Sequence, residues 1–298
     1  TTLSGEAEVL SFEKTAKKTQ PDQLYKLTDI QVEAGSKYGY TPEKTLELIQ
    51  SLYERHKLIS YPRTDGRYVS TEKSKDFARL LKAVEAMPSL SAAVKTVTPE
   101  AIAAAQGNKR FVNDVEVQKS SHDALIPTGD TAALGNLTMD EMHICEMIFK
   151  RFLAIFFPPL EEEKTKAVLT DNNIKFSCTG SKVVNPGFTV LTSKPKEAPL
   201  PDFKKGQKLK EKETSLHEIV SKPPARFTQA TLIKAMENVQ KYMAADETEL
   251  KKALKKAGGI GQPSSRAAII SELVSTGYID DVKSGKGKGL HITDSGKR

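Results

Sequence analysis

The sequence predicts a multidomain α+β protein: a strand-rich domain split by an inserted helical domain, then a second helical region. Three observations carry this. At 298 residues the chain is too long for one simple core, so two or three domains are expected. Near residue 26 the hydrophobic period shifts from strand-like alternation to helical spacing, and after Pro158–Pro159 it shifts back. From Pro223 the helical spacing returns.

Residues 1 to 20 read as one or two short strands ending in a polar linker, KTAKKTQPDQ. LTDIQVEAGSKYG follows as a short helix with Thr28 and Gln31 as a capping box and Ile30, Val32 and Ala34 as its apolar positions. Thr41 is a good N-cap and Pro42 suits the first helical position. Leu48, Ile49, Leu52 and Tyr53 give the stripe of that helix, which should end near Lys57. STEKSKDFARLLKAVEAM predicts one amphipathic helix and TPEAIAAAQGNK a shorter one. Thr138 with Glu141 makes a second capping box, and Met142, Cys145, Ile148, Phe149, Phe152 and Leu153 form its stripe. KTKAVLTDNNIKFSCTG predicts a hairpin turning at Asp171-Asn172-Asn173. The Lys- and Pro-rich segment 193 to 214 is either a mobile loop or a polar edge strand.

In the last region Leu232, Met236 and Val239 share one stripe. A Gly-rich entry then leads into a helix with Ala268, Ile269, Leu273 and Val274 inward and Gly277 at C′. DDVKSGKGKGLHIT closes as a basic hairpin with its tip near Ser284 to Gly289, so the module reads as winged-helix-like. No fixed-period repeat occurs.

Composition narrows the function classes. The formal net charge is +7, which permits a polyanionic partner without proving one. The two cysteines, Cys145 and Cys178, are far apart and lack a CxxC, which excludes a zinc-ribbon cluster and argues for a reduced, intracellular setting. No apolar run approaches the ~18 residues of a membrane span, and no signal segment opens the chain. The start, TTLSGEAEVLSFEK, lacks Met and is expected to be internal to a longer protein.

Three stretches carry chemistry. In ISYPRTDGRY, Pro62 forces Tyr61 out of the helical region and displays it at a junction. A phenol, with an ordinary pKa of about 10, attacks phosphorus only when positive charge steadies the developing oxyanion. On extended backbone Arg63 leaves from the same face as Tyr61, and its guanidinium matches two phosphate oxygens. Thr64 adds a hydroxyl, and Asp65 could anchor an arginine. Taken alone, a Tyr-x-Arg more often marks a core tyrosine entering a turn. In SSHDALIPTG, His122 is a candidate phosphate donor or proton relay. A lone loop histidine is more often a surface residue, the reading given to His56, His143, His217 and His291. In GGIGQPSSRAAII, Gln262, Ser264, Ser265 and Arg266 at a helix start make a ready anion site, with an ordinary capped helix as the alternative.

Together, LYERHKLISYPRTDGRYVS, SSHDALIPT, PPARFTQATLIKAMEN and GIGQPSSRAAIISELVSTGYI resemble, in order and spacing, the type IA DNA topoisomerases, closest to the bacterial topoisomerase III kind. The resemblance runs from about residue 5 to the end. It implies the prokaryotic type IA topoisomerase fold, with helical winged-helix-like domains and a strand-rich arch. Residues 1–22 and 158–222 would be the two parts of the arch and hinge. Residues 23–157 would carry the nucleophilic tyrosine, and 223–298 part of the basal single-strand-binding domain. Tyr61 would be the nucleophile that holds the 5′-phosphate, Arg63 the arginine on the scissile phosphate, and His122 a histidine at that phosphate. Gln50 and Tyr53 would contact the strand near the cut. Ser265, beside Gln262, Ser264 and Arg266, would grip the backbone upstream. The resemblance further implies DNA, chiefly single-stranded, as partner, a monomer in the bacterial cytoplasm at the nucleoid, and a helicase as a candidate partner.

The departure is that the family's Toprim domain, with its acidic Mg²⁺ cluster, has no match here. Mg²⁺ is expected to belong to that domain, before residue 1, and no metal or cofactor is expected within these residues. Asp280–Asp281 reads as a solvated turn pair. The first basal segment is missing too, so this chain is expected to be an inactive piece of an active enzyme. Competing readings are a non-catalytic winged-helix-like module, which would prefer duplex DNA, an interaction scaffold with no nucleic-acid affinity, and a part of a larger helicase fusion.

Overall fold

The computed structural model describes residues 3–192, 195–283 and 289–298. Two compact units emerge: Thr1–Asp22 with Phe156–Lys222, and Gln23–Ile155 with Pro223–Arg298.

The first unit is built on an antiparallel sheet in the order β3-β2-β1-β4. Its strands are β1 (Glu6–Thr19), β2 (Leu160–Asp171), β3 (Ile174–Asn185) and the edge strand β4 (Lys208–Lys210). Asn172 and Asn173, at φ 47° and 66°, form the two-residue turn between β2 and β3, where asparagine tolerates the left-handed region. The expected polar linker after the first strand is corrected. Lys14 to Thr19 continue β1, paired with Leu160 to Thr165 of β2. The reason is charge: Lys18 meets Glu161 at 2.7 Å, and Lys14 meets Asp202 at 2.7 Å and Glu163 at 3.7 Å. Opposite charges across a ladder hold a strand that has little to bury.

The second unit contains α1 (Leu27–Tyr38), α2 (Pro42–Glu54), α3 (Thr71–Ser74), α4 (Phe77–Glu85), α5 (Pro88–Val94), α6 (Pro99–Gly107), α7 (Asp114–Ser120), α8 (Met139–Ala154), α9 (Gln229–Glu237), α10 (Thr248–Lys256) and α11 (Arg266–Ser275). A hairpin of β5 (Ile279–Val282) and β6 (Gly289–Ile292) ends it. Its expected tip, residues 284–288, lies outside the described residues. Among the described residues no helix is long and apolar enough to cross a membrane.

Helix α8 is the core of this unit. Ile144, Cys145, Ile148, Phe149, Phe152 and Leu153 are fully buried, and Phe152 meets Phe77 of α4 edge-on at 5.5 Å. Its capping box is as expected, with Thr138 and Glu141 bonded both ways. Glu141 does more: its carboxylate accepts from Ser51 Oγ of α2 at 2.6 Å and from His56 Nε2 at 3.2 Å. The start of α8 is thereby tied to the end of α2.

Other expectations are corrected. Helix α1 begins at Leu27, before Thr28, and Lys26 provides no side-chain cap. Thr28 is buried, and Gln31 instead donates to the Pro42 carbonyl at 2.9 Å. The helix expected across residues 70–87 breaks into α3 and α4. In α11, Ala267 and Ile270 are buried on Ile233 of α9, while Ala268 and Ile269 face out. Burial of the Arg266 side chain at the first turn sets that phase. Asp280 and Asp281 lie on β5 rather than in a turn, and Asp281 accepts from Gln229 Nε2 at 2.7 Å. Helices α5, α7 and α10 were not among the expected elements. Glycine matters at one crossing: a Cβ on Gly35 of α1 would lie 2.5 Å from Ala230 Cβ of α9.

Glu141 yields a pH prediction. Burial pushes its carboxyl up, but the bonds from Ser51, Thr138 and His56 outweigh that and bring it to about 2 from an ordinary 4.5. A carboxyl with a depressed folded pKa adds stability above its unfolded value and loses it as pH falls through the folded one. Urea unfolding followed from pH 7 to pH 2 should therefore show a decline setting in below about pH 4.5. Glu141→Gln should remove that part of the decline, and an unchanged profile would refute the role.

Candidate active site around Tyr61

Tyr61 is placed by a pairing of two short extended segments. After α2 the chain turns at Lys57, in the left-handed region at φ 56°. Leu58 and Ile59 are fully buried. Ile59 bridges to Pro127, Ser60 N–H donates to the Ile126 carbonyl at 2.9 Å, and Ser60 Oγ donates to the Ala124 carbonyl at 2.8 Å. The Thr128 N–H donates to the Leu58 carbonyl at 3.0 Å. The second segment starts two residues after His122, so this pairing delivers His122 to Tyr61.

The Tyr61 ring is 38% exposed, more open than a core tyrosine entering a turn would be. Its centroid is 4.4 Å from the His122 ring, and Tyr53 of α2 meets it edge-on at 5.7 Å. The Lys57 ammonium sits 5.7 Å over the Tyr53 ring. Arg63 is exposed and has no hydrogen bond or ion pair among the described residues. Gln50 lies three residues before Tyr53 on α2, half-buried on the same face. A phenol and an imidazole therefore lie together at the surface, with an exposed, uncommitted guanidinium two residues further along the chain.

The rest of the motif faces inward. Thr64 is fully buried, and its hydroxyl accepts the Gly66 N–H at 3.0 Å while its carbonyl accepts the Leu27 N–H at 2.9 Å. The expectation that Thr64 offers its hydroxyl to a phosphate is corrected: it closes the turn. Gly66 is packed so that a Cβ would lie 2.6 Å from Ser120 Oγ and 2.7 Å from the His122 carbonyl. Ser120 Oγ donates to that carbonyl at 2.8 Å, and Ser121 is left-handed at φ 62°.

At the entry to α11, Gln262 is exposed and Ser264 and Ser265 are half-buried. Ser265 Oγ donates to the Gln262 carbonyl at 3.1 Å, which leaves its lone pairs open. Arg266 is 1% exposed, and its guanidinium donates to the Ile260 carbonyl at 2.9 Å and the Gly258 carbonyl at 2.6 Å. It holds the glycine turn from beneath rather than offering its fork outward. Burial lowers its pKa, and the Asp65 charge opposes that shift.

Sequence reasoning missed a line of alternating charges. Arg67, on the Tyr61 loop, donates to both oxygens of Asp29 on α1, at 2.6 and 2.8 Å. Asp29 meets Lys234 of α9 at 3.3 Å, Lys234 meets Glu237 at 3.0 Å, and Glu237 meets Lys26. Apart from Lys234 and Glu237, three residues apart on α9, the paired residues are too distant in sequence for any local signal. Burial alone would raise the Asp29 carboxyl, but the Arg67 bonds and the Lys234 and Lys26 charges hold it below its ordinary value. Burial, with Arg67 and Lys234 close by, lowers Lys26 to about 8. The Glu237 contact opposes that change and favours the ammonium. Among the described residues there is no group of three or more His, Cys, Asp or Glu that could hold a metal ion.

A family model described as DNA topoisomerase matches residues 1–298. The chain belongs to the DNA topoisomerase family. Among named relatives, this topoisomerase chain is 36% identical over 300 residues to DNA topoisomerase 3 of Bacillus licheniformis, covering 98% of the chain and 40% of that protein. It is 34% identical over 302 residues to DNA topoisomerase 3 of Bacillus subtilis, with the same coverage. Full-length topoisomerase I from Thermotoga maritima superposes with a TM-score of 0.68 at 24% identity, over 98% of this chain and 44% of that one. That likeness gives the fold, the type IA topoisomerase fold. The chain spans about two-fifths of the length of the relatives it matches.

The charge line generates a second prediction. Arg67→Ala should cost about 2 kcal/mol, because bonds between charged groups contribute more than neutral ones. Arg67→Lys should recover less than half, since an ammonium cannot reproduce the two-pronged contact. Urea midpoints at constant slope measure both, and a loss under about 0.5 kcal/mol for Arg67→Ala would show the line to be incidental.

Proposed function

We propose that this chain carries the cleaving tyrosine of a type IA topoisomerase that opens and reseals one DNA strand without ATP. The Tyr61 hydroxyl oxygen attacks a backbone phosphorus. The new oxygen–phosphorus bond forms as the bond to the 3′-oxygen breaks. The phenol gives up its proton, and the departing 3′-oxygen takes one up. The 5′-phosphate stays on Tyr61. One phosphoester replaces another, so the bond energy is retained and the reverse attack by the 3′-hydroxyl reseals the strand. A second strand passes while the break is open.

The observation that carries this reading is the open face formed by Tyr61, His122 and Tyr53 with Arg63 uncommitted beside it. Arg63 would bind two phosphate oxygens and offset the charge that builds there. His122 would donate to the same phosphate or relay its proton. Tyr53 and Gln50 would flank the strand near the break. Upstream, the side chains of Gln262, Ser264 and Ser265 at the start of the ten-residue helix α11 would hold a backbone phosphate, favoured by the positive end of the helix dipole. The DNA would be chiefly single-stranded, because a strand free of pairing and stacking can bend its phosphate onto the Tyr61 loop more readily than a duplex can. A monomer acting in the cytoplasm at the nucleoid, with a helicase as cellular partner, completes the reading. Because the chain spans two-fifths of its relatives' length, the whole reaction is assigned to a protein of that length. The 298 residues by themselves are proposed to bind DNA without efficient cleavage.

Labelled single and double strands of equal length, titrated across a salt series, test the binding. Single strands should bind more tightly. Arg63→Ala should weaken them about tenfold and flatten the log affinity against log salt slope by about 0.7 for the lost phosphate contact. Ser265→Ala should weaken single strands severalfold. Preference for the duplex, indifferent to both changes, would favour the non-catalytic winged-helix-like module. For the chemistry, denaturant-trapped covalent adduct in a protein of the relatives' length should vanish with Tyr61→Phe. Adduct surviving that change would remove Tyr61 as nucleophile.

A further inference from the structure

Among the described residues, four that are not glycine sit in the left-handed region: Lys57, Ser121, Asn172 and Asn173. The two asparagines make the β2–β3 turn, where their short amide side chains tolerate it. The other two border the Tyr61 site. Ser121 stands immediately before His122, and Lys57 leads into the segment that carries Tyr61. At Lys57 the conformation is imposed by its surroundings. The Leu58 N–H donates to the Leu52 carbonyl at 3.0 Å, and the Lys57 carbonyl accepts Thr128 Oγ1 at 2.6 Å. Glycine would adopt φ 56° at no steric cost, whereas lysine is strained there. No contact within the fold offsets that strain through the charge. The Lys57 side chain is exposed and makes no hydrogen bond or ion pair among the described residues.

What the side chain does have is a fixed place. The Lys57 ammonium lies 5.7 Å over the Tyr53 ring, and that ring meets Tyr61 edge-on at 5.7 Å. A phenol face attracts an ammonium through the negative side of its quadrupole, so Tyr53 steers where the charge stands. No more than those two separations part the ammonium from the Tyr61 ring. Neighbouring phosphates of one strand fall within that reach. A strand whose phosphorus meets Tyr61 therefore brings an adjacent phosphate within range of Lys57. Lysine suits that task, because it binds phosphate as a point charge and needs no fixed two-pronged geometry.

We propose that Lys57 is a further phosphate-binding residue of the Tyr61 site, holding the backbone phosphate next to the one Tyr61 attacks, with the Tyr53 ring positioning its ammonium. The inference rests on the reading of the Tyr61 face as a DNA-strand site. It accounts for a strained lysine where glycine would fit without strain: only the lysine brings a cation to that point.

The test sets stability against binding in the 298-residue chain, using urea unfolding and a labelled single strand titrated across a salt series. Lys57→Gly relieves the strain, so its urea midpoint should rise or hold. Its affinity for the strand should nevertheless fall about fivefold, and the slope of log affinity against log salt should flatten by about 0.7 for one lost phosphate contact. Lys57→Asn, which also tolerates the left-handed region, should behave the same way and decides the matter if the glycine variant folds poorly. Lys57→Arg keeps the charge and should stay within about twofold of the parent. In a Tyr53→Leu background, Lys57→Gly should cost less than it does alone, because the ring no longer positions the ammonium. Unchanged affinity and slope in Lys57→Gly and Lys57→Asn, with Arg63→Ala still weakening the strand, would overturn the role of Lys57 and leave the topoisomerase reading standing. No effect of either Lys57 or Arg63, or no binding of the strand at all, would overturn both.

Discussion

The hydrogen-bonded pairing of Leu58–Ser60 with Ala124–Thr128 is the constraint on which the Tyr61 site depends. It joins residues up to 71 positions apart in the chain, and Thr128 Oγ1 anchors its far end on the Lys57 carbonyl at 2.6 Å. Without it, Tyr61 and His122 would sit on two separate loops. The cost of ordering those loops is met by burying Leu58, Ile59, Leu125 and Ile126 completely. The pairing in turn needs a fixed starting point, which the Glu141 carboxylate supplies by holding Ser51 and His56 at the end of α2. One buried acidic side chain thus caps one helix and anchors the end of another.

The motif around Tyr61 divides its labour by direction. Tyr61 and Arg63 face out. Pro62, Thr64 and Gly66 face in, and each builds the turn that displays the other two. The same division recurs at α11, where Gln262 and Ser265 border solvent and Arg266 is spent on two carbonyls. Buried polar groups need partners, and a turn rich in glycine exposes carbonyls that only a long, multiply donating side chain can satisfy together. Arg266 is therefore scaffold, and its position keeps the serines presentable. The Arg67–Asp29–Lys234–Glu237–Lys26 line extends that scaffold, linking the Tyr61 loop through α1 to α9, against which α11 packs.

The strand unit rests on a different balance. Its β1–β2 ladder buries Val9 and Ala167 but carries lysine opposite glutamate at three pairs, Glu13 with Lys166, Lys17 with Glu162 and Lys18 with Glu161. Such a ladder relies on backbone pairing and cross-strand charge in place of a thick core, and local composition alone therefore resembles a linker.

What the sequence determined by itself was whatever is encoded within a few residues. The Thr41-Pro42 start of α2, the Thr138–Glu141 box, the Asn172-Asn173 turn and Gly277 at the end of α11 each follow from short-range sterics and hydrogen bonding. The stretches around Tyr61 and His122 stood out as candidates from residue types and order alone, and the fold brings those two rings to 4.4 Å. The tertiary structure decided the rest. The phase of α11, the inward turn of Thr64, the extension of β1 through KTAKKT and the five-residue charge line all depend on partners far along the chain. No short window of sequence contains Arg67 with Asp29, Asp29 with Lys234, or Lys14 to Thr19 with their β2 partners, and whether a polar side chain binds a ligand or satisfies a carbonyl is fixed only when the fold brings its partner into place.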